Sequence, residues 1–160
     1  MFIYSDASFS KKHAMGIAGY LIFKTIKDHE ASAFSSAIIS LFKIEEQNNI
    51  RLEMVSAISA LETARNDARK DVITQLFTDC ETIVNLSKRR ERLESSDYMS
   101  ARQNKVLNNA DLYKLFFALC DEVSPKITWV KGHSRKNDQS HIQKNFSHLD
   151  QLVRRELRGY

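Results

Sequence analysis

Four acidic residues sit where an ionised side chain is expensive to keep. Asp6 follows Phe2-Ile3-Tyr4-Ser5, Glu53 lies between Leu52 and Met54, Asp79 ends Leu76-Phe77-Thr78-Asp79, and Asp150 is flanked by Leu149 and Gln151-Leu152-Val153. A carboxylate buried among apolar groups is costly unless it is paired or holds a metal. Any one of the four alone reads most simply as a helix cap or as half of an ion pair. Spread over nearly the whole chain, the four together point to one shared centre. Carboxylates a few ångströms apart repel and must take up protons or cations. Oxygen donors without a Cys or His cluster suit Mg²⁺ or Mn²⁺ rather than Zn²⁺. Two such ions about 4 Å apart would hold the attacking water and the leaving oxygen of an in-line phosphoryl displacement.

The elements that must bring these acids together can be read from periodicity. Phe2 to Phe9 has strand character, with Phe2, Tyr4, Asp6 and Ser8 on one face. A second strand is predicted from Gly16 to Lys24 and a third around residues 37–42. Their connections are too short for parallel crossovers, so the three form an antiparallel meander. Leu52, Val55, Ile58 and Leu61 then recur at helical spacing, giving a helix over residues 50–69 with Asn48 or Asn49 as N-cap. A strand from Val72 to Thr78 follows, which makes the connection a right-handed parallel crossover. Next come a helix over residues 81–92 and a helix through Leu112, Leu115, Phe116 and Leu119 that Pro125 ends. A strand over residues 126–130 and a helix over residues 147–157 close the chain.

The expectation is one α/β domain spanning residues 1–160, a five-stranded mixed sheet of three antiparallel and two parallel strands flanked by helices. Adjacent parallel first and fourth strands would put Asp6 and Asp79 at one carboxyl edge, where open α/β sheets place ligands. Glu53 and Asp150, each read as lying in the first turn of its helix, would close the group.

Composition sets the outer bounds. With 42% hydrophobic and 28% charged residues, the 160-residue chain has the make-up of an ordinary globular domain. Its net charge of +4 favours a polyanionic partner. Cys80 and Cys120 fit no disulfide or metal spacing, which points to a reducing compartment. No secretory signal or membrane-length apolar run is read, so the expected location is the cytoplasm.

At this point the motifs resemble those of ribonuclease H, type I. Ile3-Tyr4-Ser5-Asp6-Ala7-Ser8 is similar to that family's opening Asp-Gly-Ser strand, and Asn49-Ile50-Arg51-Leu52-Glu53 to its Asn-Asn-Arg-Met-Glu segment. Thr78-Asp79-Cys80 resembles Thr-Asp-Ser, and Asn109-Ala110-Asp111-Leu112-Tyr113 resembles Asn-x-Asp-Leu-Trp. Val130-Lys131-Gly132-His133-Ser134 carries the Val-Lys-Gly-His signature, and Asp150-Gln151-Leu152-Val153-Arg154 is similar to Asp-x-Leu-Ala-Arg. The motifs run end to end in the family's order, and the Val-Lys-Gly-His signature is the most specific of them.

The resemblance implies that Asp6, Glu53, Asp79 and Asp150 are ligands to two Mg²⁺ ions, with Mn²⁺ as a substitute. It implies that His133 completes the catalytic set by shuttling protons or helping product leave. It also implies an endonuclease that cuts the RNA strand of RNA–DNA hybrids, leaving 5′-phosphate and 3′-hydroxyl ends, and acting as a monomer. Substrate contacts carried over are Ser8, Asn49, Arg51 and Lys131. Lys88, Arg89 and Arg90 join them from a stretch that resembles the basic protrusion of bacterial members. That stretch, residues 88–105, can equally be read as a solvated charged helix end. His13, His29, His141 and His148 have no motif context and are read as surface residues.

There are departures from the pattern. Ala7 stands for the usual Gly, Ile50 for the second Asn, and Cys80-Glu81 for Ser-Gln; the usually Gly-rich hairpin reads Lys11-Lys12-His13-Ala14-Met15-Gly16 and the loop after His133 is long. None removes an acid, yet Ile50 and Glu81 bear on substrate contact. They keep two alternatives open: a nuclease of the same superfold that cuts duplex RNA or structured DNA, and a silent nucleic-acid-binding module.

Overall fold

The computed structural model describes residues 1–46, 48–67, 73–132 and 140–160. Strand β1 (Phe2–Ser10) turns back into β2 (Met15–Phe23), and a short helix α1 (Ile26–Ala31) with one 3₁₀ turn leads to β3 (Ile38–Ile44). Helix α2 (Asn49–Arg65) crosses over to β4 (Gln75–Thr78). Then come α3 (Glu81–Val84), α4 (Leu86–Ser95), α5 (Ala110–Val123), β5 (Lys126–Trp129) and α6 (His141–Arg158).

The sheet order is β3-β2-β1-β4-β5. The first three strands pair antiparallel, and β4 and β5 run parallel to β1, as the sequence predicts. Side chains alternate across the sheet. Ile3, Ile22 and Leu76 enter one core with residues of α2 and α5. Tyr4, Leu21, Phe23 and Phe77 enter the other, beneath Phe146, Leu149 and Val153 of α6. The β1–β4 ladder stops at Tyr4–Phe77, and from there β1 runs on paired with β2 only. Asp6 and Asp79 each lie two residues beyond that last pair, so the fork between the parting strands brings them together.

The structure corrects several boundaries. The final helix starts at His141, not near residue 147: Ser140 caps it by accepting from the Gln143 N–H. Polar Gln143, Lys144 and Asn145 read as a loop, but Asn145 is fully buried and its Nδ2 donates to the Tyr4 hydroxyl and to the His29 carbonyl. Asp150 therefore lies in the third turn of α6 rather than the first. Glu53, likewise, is in the second turn of α2, whose cap is Asn48 accepting from the Ile50 and Arg51 N–H groups. The helix predicted over residues 81–92 breaks at Asn85, whose Nδ2 donates to the Glu81 carbonyl. Helix α1 was not predicted; Thr25 caps it and Ser32 ends it in the left-handed region.

His29 is a further correction, since it is 3% exposed. It shares a 2.6 Å hydrogen bond with the Tyr4 hydroxyl and stacks on Phe2. Burial, and next the neighbouring His141, push it down to about 4 and keep it neutral. No helix among the described residues is long and apolar enough to cross a membrane.

Candidate active site

Glu53 reaches the fork because α2 is docked at a fixed height on the sheet. Ser56, one turn further on, donates through Oγ to the Gly19 carbonyl at 2.6 Å, and Gly19 is the β2 partner of Asp6. The result is a compact group. Asp6, Glu53 and Asp79 each offer an oxygen, and these oxygens all lie within 4.8 Å of one another. Asp6 is 4% exposed and Glu53 5%. Asp6 Oδ2 and Glu53 Oε2 are buried without a hydrogen-bond partner.

Electrostatics follow from that geometry. Burial first, then the charges of Asp79 and Asp150, push Asp6 up to about 8. Burial, then Asp6 and Asp79, likewise raise Glu53 well above the carboxylate range. The Ala7 N–H beside both works in the opposite direction and is outweighed. Like charges this close need protons or a cation between them. The orphaned oxygens and all-oxygen donor set fit a hard divalent ion such as Mg²⁺ or Mn²⁺.

Asp150 faces the group from α6 and contributes to the rise of Asp6. It stands outside the three-carboxylate cluster, and its Oδ1 accepts from Arg154 Nε at 2.7 Å. The fifth residue of the expected catalytic set, His133, lies outside the described residues, as does the loop after it.

The expected substrate contacts divide into free and engaged groups. Ser8 is half-buried on β1, sharing a face with Asp6, while Asn49, Lys88 and Lys131 are exposed. Glu81 is exposed at the start of α3. Arg51 is a brace. Its terminal nitrogens donate to both Asp111 oxygens at 2.9 Å and to the Asn108 carbonyl at 2.8 Å, and Nε donates to Glu46. This ties the start of α2 to the start of α5. Arg90 is a second brace: it pairs with Asp121 and Glu94 and lies over the Phe117 ring. Arg89, by contrast, lines a cavity.

That cavity, of about 320 Å³, lies between the N-terminus of α2 and the 100–109 segment. Its walls include Arg89, Lys105, Asn48, Asn109, Ser100 and Tyr113. Asn48 and Asn109 are the N-caps of α2 and α5, so two positive helix ends converge on a pocket with two cationic side chains. Asn109 is 8% exposed, with its Oδ1 unpartnered. The sequence motif at Asn109-Ala110-Asp111 marked a helix start and did not mark Asn109 as a site residue, while Lys105 closes the basic stretch of residues 88–105. Only the fold puts the two caps side by side.

Comparison with known proteins agrees with the geometry. A family profile described as RNase H matches residues 1–158. A ribonuclease H of Orientia tsutsugamushi (strain Boryong) is 25% identical over 133 residues, covering 82% of this chain and 71% of the relative. Among solved structures, LC11-RNase H1 in complex with an RNA/DNA hybrid matches with TM-score 0.64 and 16% identity, covering 96% of this chain and 94% of that one. LC9-RNase H1, a type 1 RNase H with the type 2 active-site motif, matches with TM-score 0.70 and 15% identity over 99% of this chain and 72% of that one. The foamy viral protease-reverse transcriptase in complex with dsDNA matches with TM-score 0.70 and 11% identity, covering 96% and 91%. At those identities the solved structures speak to fold alone; the profile speaks to ancestry over nearly the whole chain. With that match, the family's sheet order and three acids meeting at the fork of its central strands, the chain belongs to the RNase H family and is a ribonuclease H of the type I pattern.

Proposed function

We propose that the protein hydrolyses the RNA strand of RNA–DNA hybrids with two divalent cations, Mg²⁺ by preference, leaving 5′-phosphate and 3′-hydroxyl ends. The observation that carries this is the meeting of Asp6, Glu53 and Asp79 oxygens within 4.8 Å, in a group where Asp6 Oδ2 and Glu53 Oε2 are buried and unpartnered. Asp6, Glu53 and Asp79 hold the cations, with Asp150 supporting from α6. When bound, divalent ions supply an activated water and charge stabilisation at the leaving oxygen.

The chain's own groups do the rest. The carboxyls of Asp6 and Glu53, raised by burial and mutual repulsion, give up their protons as cations enter, so affinity climbs with pH. Ser8, on the face of β1 that carries Asp6, and the exposed Asn49 and Lys131 meet the substrate backbone. The cavity with Arg89 and Lys105 takes a backbone phosphate of the same duplex, with helix N–H dipoles adding to the attraction. Recognition of the hybrid is through 2′-hydroxyls in a shallow minor groove. His133, immediately after Gly132, moves protons. The free thiols Cys80 and Cys120 accord with work in the cytoplasm.

The test is incubation of purified protein with labelled RNA–DNA hybrid, duplex RNA and duplex DNA, in Mg²⁺ or EDTA, beside Asp79→Asn. Cleavage restricted to the hybrid's RNA strand, abolished by EDTA and cut roughly 10³-fold by the substitution, is expected. Cutting of duplex RNA or DNA in preference to the hybrid would reassign the substrate. Binding without turnover in either Mg²⁺ or Mn²⁺ would overturn the enzymatic reading.

A further inference from the structure

The residues that follow Lys126–Trp129, up to Gly132, run beside Thr78 and Asp79. The β4–β5 ladder extends one step past β5, with the Val130 N–H donating to the Thr78 carbonyl at 2.9 Å. Two further features bear on Asp79 itself. Trp129 Nε1 donates to the Asp79 carbonyl oxygen at 3.2 Å. Gly132 backs onto the carboxylate: a Cβ placed there would stand 2.8 Å from Asp79 Oδ2 and 3.8 Å from its Cγ.

Two details make this more than packing. No glycine in the described residues has positive φ, so the Gly132 backbone is one that any residue can adopt. The requirement at Gly132 is therefore the space its missing side chain leaves to Asp79. Trp129 is 48% exposed, so its burial does not explain it; what it does contribute is an N–H on the Asp79 backbone.

We propose that Trp129 and Gly132 are positioning residues that orient Asp79 toward the cations. Trp129 clamps the Asp79 carbonyl and thereby its main chain. Gly132 lets the backbone lie against Oδ2 and limits the carboxylate's swing, so that it stays turned toward Asp6 and Glu53. This rests on the reading of Asp79 as a metal ligand.

Direct Mn²⁺ binding, followed by electron paramagnetic resonance beside the melting temperature in EDTA, tests the pair. Groups that orient a ligand are commonly worth roughly 10–100-fold in metal affinity. Gly132→Ala is expected to weaken Mn²⁺ binding about tenfold with the EDTA melting temperature unchanged. Trp129→Phe, which keeps a ring and loses the N–H, is expected to weaken it a few-fold in the same direction. Unchanged affinity in both variants overturns the proposal. Weakening that appears only together with a lower EDTA melting temperature overturns it too, since a merely structural role produces that. Should Gly132→Ala fail to fold, Trp129→Phe decides by itself. An Asp79→Asn arm separates the two layers of inference. If that variant binds Mn²⁺ as the parent does, the metal-ligand reading falls. If it loses binding while Gly132→Ala and Trp129→Phe keep it, only the positioning role falls.

Discussion

Asp111 and Asp121 on the helical side of the molecule, and Asp6 and Glu53 at the strand fork, put one functional group to opposite uses. Asp111 and Asp121 are exposed, and each receives two hydrogen bonds from a guanidinium, Arg51 for the first and Arg90 for the second. Those arginines hold both carboxyls below their usual range. Asp6 and Glu53 are buried, each keeps an oxygen without a partner, and both are pushed far above that range. An exposed ion pair is self-sufficient and contributes little either way. A buried group of unanswered acids is complete only when something positive arrives from outside. The paired acids brace helices; the unpaired ones form the candidate cation site, which the fold keeps open at a cost in stability.

The contrast can be broken most visibly at Asp6. Its folded pKa of about 8 is raised from 3.8, so the stability that goes with its protonation is full below about pH 4 and is lost as pH rises through about 8. In EDTA the melting temperature of the parent is expected to fall between pH 5 and 8.5. Asp6→Asn is expected to flatten that slope and to melt higher at pH 8.5, by several degrees, and Mg²⁺ is expected to remove most of the parent's slope. A parent whose melting temperature rises over the same window in EDTA would show that Asp6 is answered within the fold.

Smaller effects are expected where the cations are. Arg89→Ala with Lys105→Ala should raise KM for the hybrid about tenfold and lower the salt dependence of binding by about one to two phosphate contacts. Unchanged salt dependence would leave the cavity without a role in binding. Arg51→Ala should cost about 1 kcal/mol, a shift of roughly 2–4 °C, with Mn²⁺ affinity intact, since its partners are partly exposed. Loss of Mn²⁺ binding in that variant would join the brace to the metal site and blur the contrast.

How far the sequence reached depends on the range of each interaction. The three clustered acids were legible because each is local: a carboxylate among apolar residues beside a strand or in an amphipathic helix. The antiparallel pairing of the first three strands followed from connection lengths, while the place of β5 beside β4 was not read. What stayed hidden was set by distant partners. Asn145 looks like a loop residue until Tyr4 and His29, more than a hundred residues away, take its amide hydrogens. Arg51 matched a substrate-contact motif, and nothing nearby says that Asp111, sixty positions on, occupies it. Asn109 reads as a plain helix cap, whereas its unpartnered oxygen matters only because Asn48 and Arg89 meet it across a cavity.

The most direct test of the claim that the fork is an open cation site is calorimetric titration of Mn²⁺ into the metal-free protein near pH 7, in two buffers of different ionisation enthalpy. The expected result is binding that releases protons, with the release reduced in Asp6→Asn and in Glu53→Gln. Absence of binding, or binding of equal strength and proton count in the parent and both variants, would contradict it.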